Sequence, residues 1–206
     1  MIKDTEAIVH VIDDDESLRT ALARLLGAAG LKVRTYSGAG DFLLNWHEDG
    51  AGCILLDVDM PGGPSGPELQ RALAQRADAL PVVFLTGHGN IGIGVNAMKS
   101  GAVDFLTKPV ERDCLLTAVH AAIAQDGARR EAQAKDRDLQ ADYDSLSPRE
   151  REVFVQVTAG RLNKQIAYDL GTCERTIKAH RANVMEKLHV HRFVDLIKLA
   201  SRLNIE

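Results

Sequence analysis

Short apolar runs alternate with amphipathic stretches over the first 126 residues of the chain. The runs are rich in Val, Ile and Leu, which indicates buried strands, and between them apolar residues recur at helical spacing. The predicted strands are 7–12, 33–36, 52–56, 81–85 and 103–106, and the predicted helices are 17–29, 39–47, 67–75, 91–99 and 113–124. Five strand-helix units in this rhythm predict an α/β fold with a doubly wound, five-stranded parallel sheet.

The pattern changes after this region. Residues 126–144 are rich in Ala, Gln, Arg and Asp, which predicts an exposed helical linker with a solvated charged face. The segment Ser147-Pro148-Arg149-Glu150 then has the form of a helix start with a capping box. Helical periods follow at 148–159, 163–170, 174–188 and 192–203 with no strand pattern. We therefore expect an α/β domain at 1–125, a linker at 126–144 and a small all-α domain at 145–206.

Charge divides the chain in the same way. Residues 1–126 hold 17 acidic and 10 basic side chains, whereas residues 147–206 hold 7 acidic and 11 basic ones. A basic terminal domain makes nucleic acid a plausible partner. The acidic start of the chain and the lack of long apolar stretches predict a cytoplasmic protein with no membrane partner. Three widely spaced cysteines without a CxxC pair favour reduced structural thiols over disulfides or a zinc site.

Acidic residues follow two of the predicted strands. Asp13, Asp14 and Asp15 follow the first strand, and Asp57 closes the third. Because the carboxyl ends of parallel strands meet at one edge of the sheet, these carboxylates should converge there. Clustered carboxylates repel one another unless a cation lies among them, which predicts a hard divalent metal, most simply Mg²⁺. Asp15, beside the start of the first helix, is either simply exposed or the N-cap of that helix.

Further polar residues follow the other strands: Thr86-Gly87 after the fourth and Lys108-Pro109 after the fifth. With Asp13, Asp14 and Asp57, they make residues 6–124 resemble a two-component receiver domain, which has a flavodoxin-like fold. The resemblance implies that Asp57 accepts a phosphoryl group and that Asp13, Asp14, Asp57 and the backbone carbonyl of Asp59 bind Mg²⁺. It also implies that Lys108 and Thr86 contact the phosphoryl oxygens, that Thr86 and Phe105 form a switch, and that Lys108-Pro109 is a cis peptide.

The chain departs from the receiver pattern after Asp57. The family usually has Asp-x-x-Met-Pro-Gly-Met-x-Gly, whereas this chain is one residue longer, from Asp57 through Met60-Pro61-Gly62-Gly63-Pro64-Ser65 to Gly66. Asp59 adds an unusual carboxyl group to this loop. We expect Asp59 to alter the affinity for the metal or the lifetime of the phosphoryl group.

Residues 163–188 have the organisation of a helix-turn-helix, with a turn at Gly171-Thr172-Cys173. The motifs Leu146-Ser147-Pro148-Arg149-Glu150 and Thr176-Ile177-Lys178-Ala179-His180-Arg181 resemble a LuxR-type DNA-binding domain. The resemblance implies that Lys178, Ala179, Arg181 and Ala182 face the major groove, with Asn163, Lys164, Arg175, Thr176 and His180 as candidates for phosphate contacts. For His180, a packing or capping role is equally open. Cys173 replaces the usual hydroxyl N-cap of the second helix.

A receiver followed by this domain is the architecture of NarL/FixJ response regulators, which are not enzymes. The resemblance implies a sensor histidine kinase and promoter DNA as partners, homodimerisation on phosphorylation, and RNA polymerase as a further candidate. Two other functions remain open from the residues. Asp57-Val58-Asp59 is compatible with a phosphohydrolase of the haloacid dehalogenase type, although Pro61 departs from that motif. The receiver could also serve only for dimerisation, without phosphorylation.

Overall fold

The computed structural model describes residues 7–46, 50–61, 63–76, 79–87, 91–203 and 205. Contacts divide the chain into two compact units, Met1–Arg130 and Glu131–Glu206. Residue 47, the end of a predicted helix, and Gly62 of the lengthened loop lie outside the described residues.

The described part of the first unit contains a five-stranded sheet in which all neighbouring strands are parallel. Its order, β2-β1-β3-β4-β5, places the third strand in the middle. The elements are β1 Ile8–Ile12, α1 Glu16–Ala28, β2 Lys32–Tyr36, α2 Ala39–Asn45, β3 Gly52–Asp57, α3 Gly66–Ala74, β4 Val82–Thr86, α4 Ile91–Lys99, β5 Asp104–Thr107 and α5 Arg112–Asp144. The predicted doubly wound α/β fold is confirmed.

Two hydrophobic clusters cover the two faces of the sheet. Val9, Val11 and Leu55 belong to the cluster that includes residues of α1 and α5. Ile54 and Phe84 belong to the other cluster, which includes residues of α2 and α3. Because successive side chains of a strand point to opposite faces, the apolar runs that predicted the strands supply both clusters. All six residues of β3 are buried, so this strand is covered along its whole length.

Most strand bounds differ from the predictions by one residue, and pairing explains the differences. β2 begins at Lys32 because that residue pairs with Ile8, and β5 extends to Thr107 because that residue pairs with Thr86. The polar character of Lys32 and Thr107 had excluded both residues from the predicted strands. Strand ends at the sheet edge follow backbone pairing more closely than side-chain hydrophobicity.

The predicted linker is helical and forms the later part of α5, but its charges are not all solvated. Asp126 is fully buried and accepts hydrogen bonds from the backbone N–H of Gly52 at 3.0 Å and from Arg130 Nε at 2.7 Å. Its other oxygen binds Arg129 Nη2 at 2.5 Å, and Arg130 also donates to the carbonyl of Gly50. The expectation of a solvated face was wrong here, because Asp126 fastens α5 to the start of β3.

The described residues of the second unit after α5 form α6 Pro148–Thr158, α7 Asn163–Asp169, α8 Glu174–Lys187 and α9 Phe193–Arg202, as the all-α prediction required. A separate hydrophobic cluster, which includes Phe154, Ile166, Ile177 and Val184, joins these helices. The predicted capping box is confirmed: Ser147 caps α6, and Glu150 Oε2 accepts from the Ser147 N–H at 2.8 Å.

Glu150 also anchors α8 to α6. It is buried, and its carboxylate lies 2.7 Å from Lys187 Nζ. The hydrogen bonds from Lys187 and Ser147 lower the pKa of Glu150 to about 2, so this carboxylate stays ionised at neutral pH. No helix within the described ranges combines the length and the apolar composition needed to cross a membrane.

A buried histidine makes the stability of the first unit depend on pH. His10 on β1 is 3% exposed, and its Nδ1 lies 3.0 Å from the Tyr36 hydroxyl. Burial and the neighbouring Arg34 guanidinium lower the pKa of His10 to about 4, against 6.5 for an unperturbed histidine. Between these values the unfolded chain binds a proton that the folded chain does not. The free energy of unfolding should therefore fall as pH falls from about 6.5 to about 4.

We expect this single group to remove about 2 to 3 kcal/mol of stability over that range. Urea unfolding followed by Trp46 fluorescence will measure it, because the chain has one tryptophan and its ring stacks on Phe42 at 5.3 Å in the first unit. A His10→Asn variant should lose most of this pH dependence, whereas a His191→Asn control at an exposed site should keep it. Identical pH profiles for His10→Asn and the parent protein would contradict this account.

Candidate functional site

Three carboxylates converge at the carboxyl edge of the sheet. Asp13 and Asp14 follow β1 and Asp57 ends β3, and one oxygen from each lies within 4.8 Å of the others. Asp13 and Asp57 are buried, whereas Asp14 is exposed to solvent. Carboxylates from two adjacent strands thus face one opening, the arrangement expected of an oxygen-ligand site for a hard divalent cation.

The β1–α1 turn and α1 hold Asp13 by two hydrogen bonds. The backbone N–H of Asp15 donates to Asp13 Oδ1 at 2.9 Å, and Arg19 Nη1 donates to the Asp13 carbonyl at 2.6 Å. Asp15 in turn caps α1 by accepting from the N–H groups of Ser17 and Leu18. Asp15 is thus both exposed and the helix N-cap, and its side chain lies outside the carboxylate cluster.

Lys108 bridges the two buried carboxylates. Its Nζ lies 2.7 Å from Asp13 Oδ2 and 3.1 Å from Asp57 Oδ1. Burial alone would lower the pKa of Lys108, but the hydrogen bonds to Asp13 and Asp57 raise it above its ordinary value. The lysine therefore stays charged, and it follows β5, as predicted. The Lys108-Pro109 peptide is cis, which confirms that prediction.

Asp57 has an environment that resists its negative charge. Burial raises the pKa of Asp57 above its ordinary value; Lys108 opposes this effect, and the neighbouring Asp13 adds to it. The backbone N–H of Asp59 also favours the ionised form. The side chain of Asp59 is exposed and does not belong to the group of three clustered carboxylates.

A glycine that sequence reasoning had treated only as part of a lengthened loop controls the backbone at Asp57. Gly66 begins α3, and its N–H donates to the Val58 carbonyl at 3.1 Å. A Cβ at this position would lie 2.3 Å from the carbonyl oxygen of Asp57, well inside van der Waals contact. Only glycine lets α3 start so close to the end of β3. Its place after the strand was visible in the sequence, but this approach was not.

Thr86 and Phe105 lie on the two strands beside β3 on that side of the sheet. Thr86 is 1% exposed at the end of β4, and its carbonyl accepts from the Lys108 N–H at 2.7 Å. Phe105 on β5 is partly buried, with its ring 6.3 Å from that of Phe84 and next to Gly94 of α4. Thr86 is thus joined to Lys108 through the backbone, and Phe105 packs against α4.

The helix-turn-helix occupies α7 and α8 of the second unit. Lys164, Arg175, Lys178, Ala179 and Ala182 are exposed, whereas Asn163, Thr176, His180 and Arg181 are partly buried. On α8 the positions 175, 178, 179 and 182 follow helical spacing and share one face. Ile177 and Val184 lie on the opposite, buried face. One exposed face of α8 therefore carries two basic residues, Arg175 and Lys178, beside the small residues Ala179 and Ala182.

Two predicted DNA contacts bind each other in this structure. Arg181 Nη1 donates to Asn163 Oδ1 at 2.7 Å, which joins α8 to α7. The start of α8 lacks a side-chain cap, because Cys173 offers a thiol that lies 3.1 Å from the Thr176 hydroxyl instead of a hydroxyl that bonds the helix N–H groups. Sequence reasoning anticipated the missing cap but not the Arg181–Asn163 pair.

Comparisons with known proteins agree with both parts of the site. Residues 9–120 match the family model described as response regulator receiver domain, and residues 144–200 match bacterial regulatory proteins, luxR family. The chain is 43% identical to Nodulation protein W of Bradyrhizobium diazoefficiens, over 98% of this chain and 88% of that protein. It is 40% identical to the transcriptional regulatory protein FixJ of the same organism, over 96% of each chain.

Solved structures give the same relationship. The response regulator StyR is 41% identical, with a TM-score of 0.84 over 96% of this chain and 99% of that chain. Family models cover both units, and full-length relatives are about 40% identical. The chain belongs to the NarL/FixJ family of two-component response regulators, with a receiver domain followed by a LuxR-type DNA-binding domain.

Proposed function

We propose that a sensor histidine kinase phosphorylates Asp57 and that this modification controls dimerisation and sequence-specific DNA binding. The observation that carries the proposal is the pairing of Asp57 with Lys108 at 3.1 Å beside Asp13 and Asp14. Asp57 thus has beside it a cation, shared with Asp13, that is positioned to neutralise the oxygens of an incoming phosphoryl group. A pocket used only to bind a metal has no need of such a lysine.

In the proposed transfer, an oxygen of Asp57 forms a bond to phosphorus while the bond from phosphorus to the donor's imidazole nitrogen breaks. Lys108 then pairs with a phosphoryl oxygen, and the Thr86 hydroxyl donates a hydrogen bond to another. Burial raises the pKa of Asp57, so its ionised carboxylate is a stronger nucleophile than an exposed one. Transfer places the negative charge on the phosphoryl oxygens, beside Lys108.

The residues of the cluster fit Mg²⁺. Three carboxylates face one nearby lysine in this cluster, and a divalent cation would balance that difference in the number of acidic and basic groups. Asp13, Asp14, Asp57 and the backbone carbonyl of Asp59 would hold the ion. When bound, Mg²⁺ offsets the repulsion between the oxygens of donor and acceptor.

Dimerisation would follow from a rearrangement of Thr86 and Phe105. A hydrogen bond from Thr86 to the phosphoryl group would draw this residue towards Asp57 and leave space for Phe105 to turn inward beneath α4. This change would alter the face formed by α4, β5 and α5, through which two receivers would pair. Exposed Val95 and Met98 on α4 support a contact there, because both are apolar and 46% exposed.

The DNA-binding surface is proposed from the resemblance and the exposure of its members. Lys178, Ala179 and Ala182 would face the major groove, and Lys164 and Arg175 would contact phosphates. Thr176 and His180, at the border of this face, are further candidates for phosphate contacts. Arg181 and Asn163, which bind each other in this structure, complete the set implied by the resemblance.

Beryllofluoride with Mg²⁺ tests the proposal, because it mimics an acyl phosphate without a kinase. The expected result is a shift from monomer to dimer in light scattering, together with tighter binding to duplexes that the protein itself selects from a random library. A receiver used only for dimerisation would show the same oligomeric state and the same DNA affinity with and without beryllofluoride.

Asp59 should tune this chemistry. Its carboxyl group is exposed, and its backbone lies beside Asp57, so it adds negative charge near the metal and the phosphoryl group. We expect Asp59→Asn to change the Mg²⁺ affinity or the half-life of the aspartyl phosphate by about two- to tenfold, the range that one exposed charge typically produces. Mg²⁺ titration and dephosphorylation rates measure the two quantities, and values equal to those of the parent for both would rule out this role.

A further inference from the structure

Arg181 lies in an unexpected position on α8, the second helix of the helix-turn-helix and the recognition helix of the proposed DNA-binding surface. It comes four residues after Ile177 and three before Val184, and both of these are fully buried. At 3.6 residues per turn, positions 177, 181, 184 and 188 form one stripe, and this stripe faces the core of the domain. Lys178 and Ala182 lie on a different face. Arg181 thus takes a core position, and its long side chain carries the charge to the edge of the core.

The guanidinium group reaches two other helices. Its Nη1 donates to Asn163 Oδ1, the first residue of α7, at 2.7 Å. Its Cζ lies 5.8 Å above the ring of Phe193, the first residue of α9, a distance at which a cation and an aromatic face attract each other. One side chain of α8 therefore contacts the beginnings of both neighbouring helices.

These contacts are specific to an arginine. A planar guanidinium can donate to an amide oxygen at its edge and at the same time lie over a ring with its face, which a lysine ammonium does less well. Both partners sit at helix starts, where a fixed side chain sets the direction of the helix that follows. We call these three residues, Arg181, Asn163 and Phe193, the helix clamp.

We infer that Arg181 is a positioning residue that holds the recognition helix at its angle to α7 and α9 and does not read a base. The inference rests on the proposed DNA-binding function. The Nη1 group and the face of the guanidinium are already engaged by Asn163 and Phe193, so use of this side chain on a base would compete with both contacts. The DNA-facing residues of α8 would then depend on the helix clamp for their depth and tilt in the groove.

Binding measurements on the full-length protein separate this role from direct contact. The probe is a duplex that the parent protein selects from random oligonucleotides, with a panel carrying each single base-pair change. Arg181→Ala should lower the affinity about five- to twentyfold, as expected for loss of a charged hydrogen bond and a ring contact. The loss should be similar across the panel, and the salt dependence of binding should not change.

Two other outcomes would overturn the inference. If Arg181 reads a base, Arg181→Ala should lose discrimination at one base pair. If Arg181 binds a phosphate, the variant should lower the slope of log affinity against log salt concentration by about one. Lys178→Ala provides the matched control on the same helix, with one of those two signatures expected because Lys178 is exposed on the groove-facing side.

Variants of the partners test the clamp without touching Arg181. Asn163→Ala and Phe193→Leu should each lower the affinity by a similar factor for every duplex of the panel. Phe193→Tyr should bind like the parent protein, because it keeps the aromatic ring. The double variant Arg181→Ala with Asn163→Ala should bind about as well as Arg181→Ala alone, because the bond is already lost. Additive losses would overturn the clamp.

If Arg181→Ala fails to fold, the DNA-binding profiles of Phe193→Leu, Phe193→Tyr and Asn163→Ala test the clamp in its place. If the parent protein selects no sequence from the library, the proposed function fails, and the clamp is then judged by the coupling between Arg181 and Asn163 in urea unfolding. The two failures are thus distinguishable.

Discussion

Replacing Asp57 with Asn is expected to abolish labelling by acetyl phosphate and to remove the effect of phosphorylation on DNA binding. The amide keeps the shape of the side chain but has no anionic oxygen to form the bond to phosphorus. Fold and basal DNA binding should survive, because the second unit has its own hydrophobic cluster. Phosphate incorporation and DNA affinity, each measured with and without acetyl phosphate, provide the readouts.

Asp15→Asn is the matched control, since Asn caps a helix about as well as Asp and the side chain lies outside the carboxylate cluster. It should label like the parent. Labelling of Asp57→Asn at the parental level would mean that another residue accepts the phosphoryl group, and the assignment of Asp57 would be wrong.

Removing the carboxyl group of Asp126 is expected to cause a large loss of receiver stability. Asp126→Ala leaves Arg129 and Arg130 without their carboxylate and the buried N–H of Gly52 without an acceptor. Breaking a buried ion pair from one side typically costs about 3 to 5 kcal/mol, and the partial exposure of both arginines places the expected loss near the lower end. Urea unfolding followed by Trp46 fluorescence measures it.

Asp138→Ala, at an exposed position on the same helix, is the control and should change stability by less than about 0.5 kcal/mol. Asp126→Asn should lie between the two variants, because an amide oxygen still accepts one of the hydrogen bonds. Equal stabilities for Asp126→Ala and Asp138→Ala would show that the buried network contributes nothing to the receiver.

The sequence predicted the parts of this protein that depend on local pattern. Apolar runs located all five strands, since a strand buried on both faces has few polar residues within it. The topology of a parallel sheet then brought Asp13 and Asp57 to one edge, and the resemblance added Lys108, which the structure places against both. These predictions needed no knowledge of distances.

Contacts between distant segments were harder to predict. Asp126 stands in a run of charged residues that reads as solvated, and only its approach to Gly52, 74 residues away, makes it buried. Gly66 gave no sign that its missing side chain accommodates the Asp57 carbonyl. For Arg181 the sequence did contain a signal, because its spacing from Ile177 and Val184 places it on the buried face of the helix. The prediction instead followed the resemblance to LuxR-type domains, which places Arg181 in the major groove.

The packing around Asp57 also restricts how such a regulator can be retuned. Every residue of β3 is buried, and at Gly66 even a methyl group would collide with the backbone carbonyl of Asp57. Substitutions in β3 or at the start of α3 therefore disturb this packing. On the proposed chemistry, substitutions at exposed loop positions such as Asp59 can change the lifetime of the phosphoryl group while the framework around Asp57 stays the same.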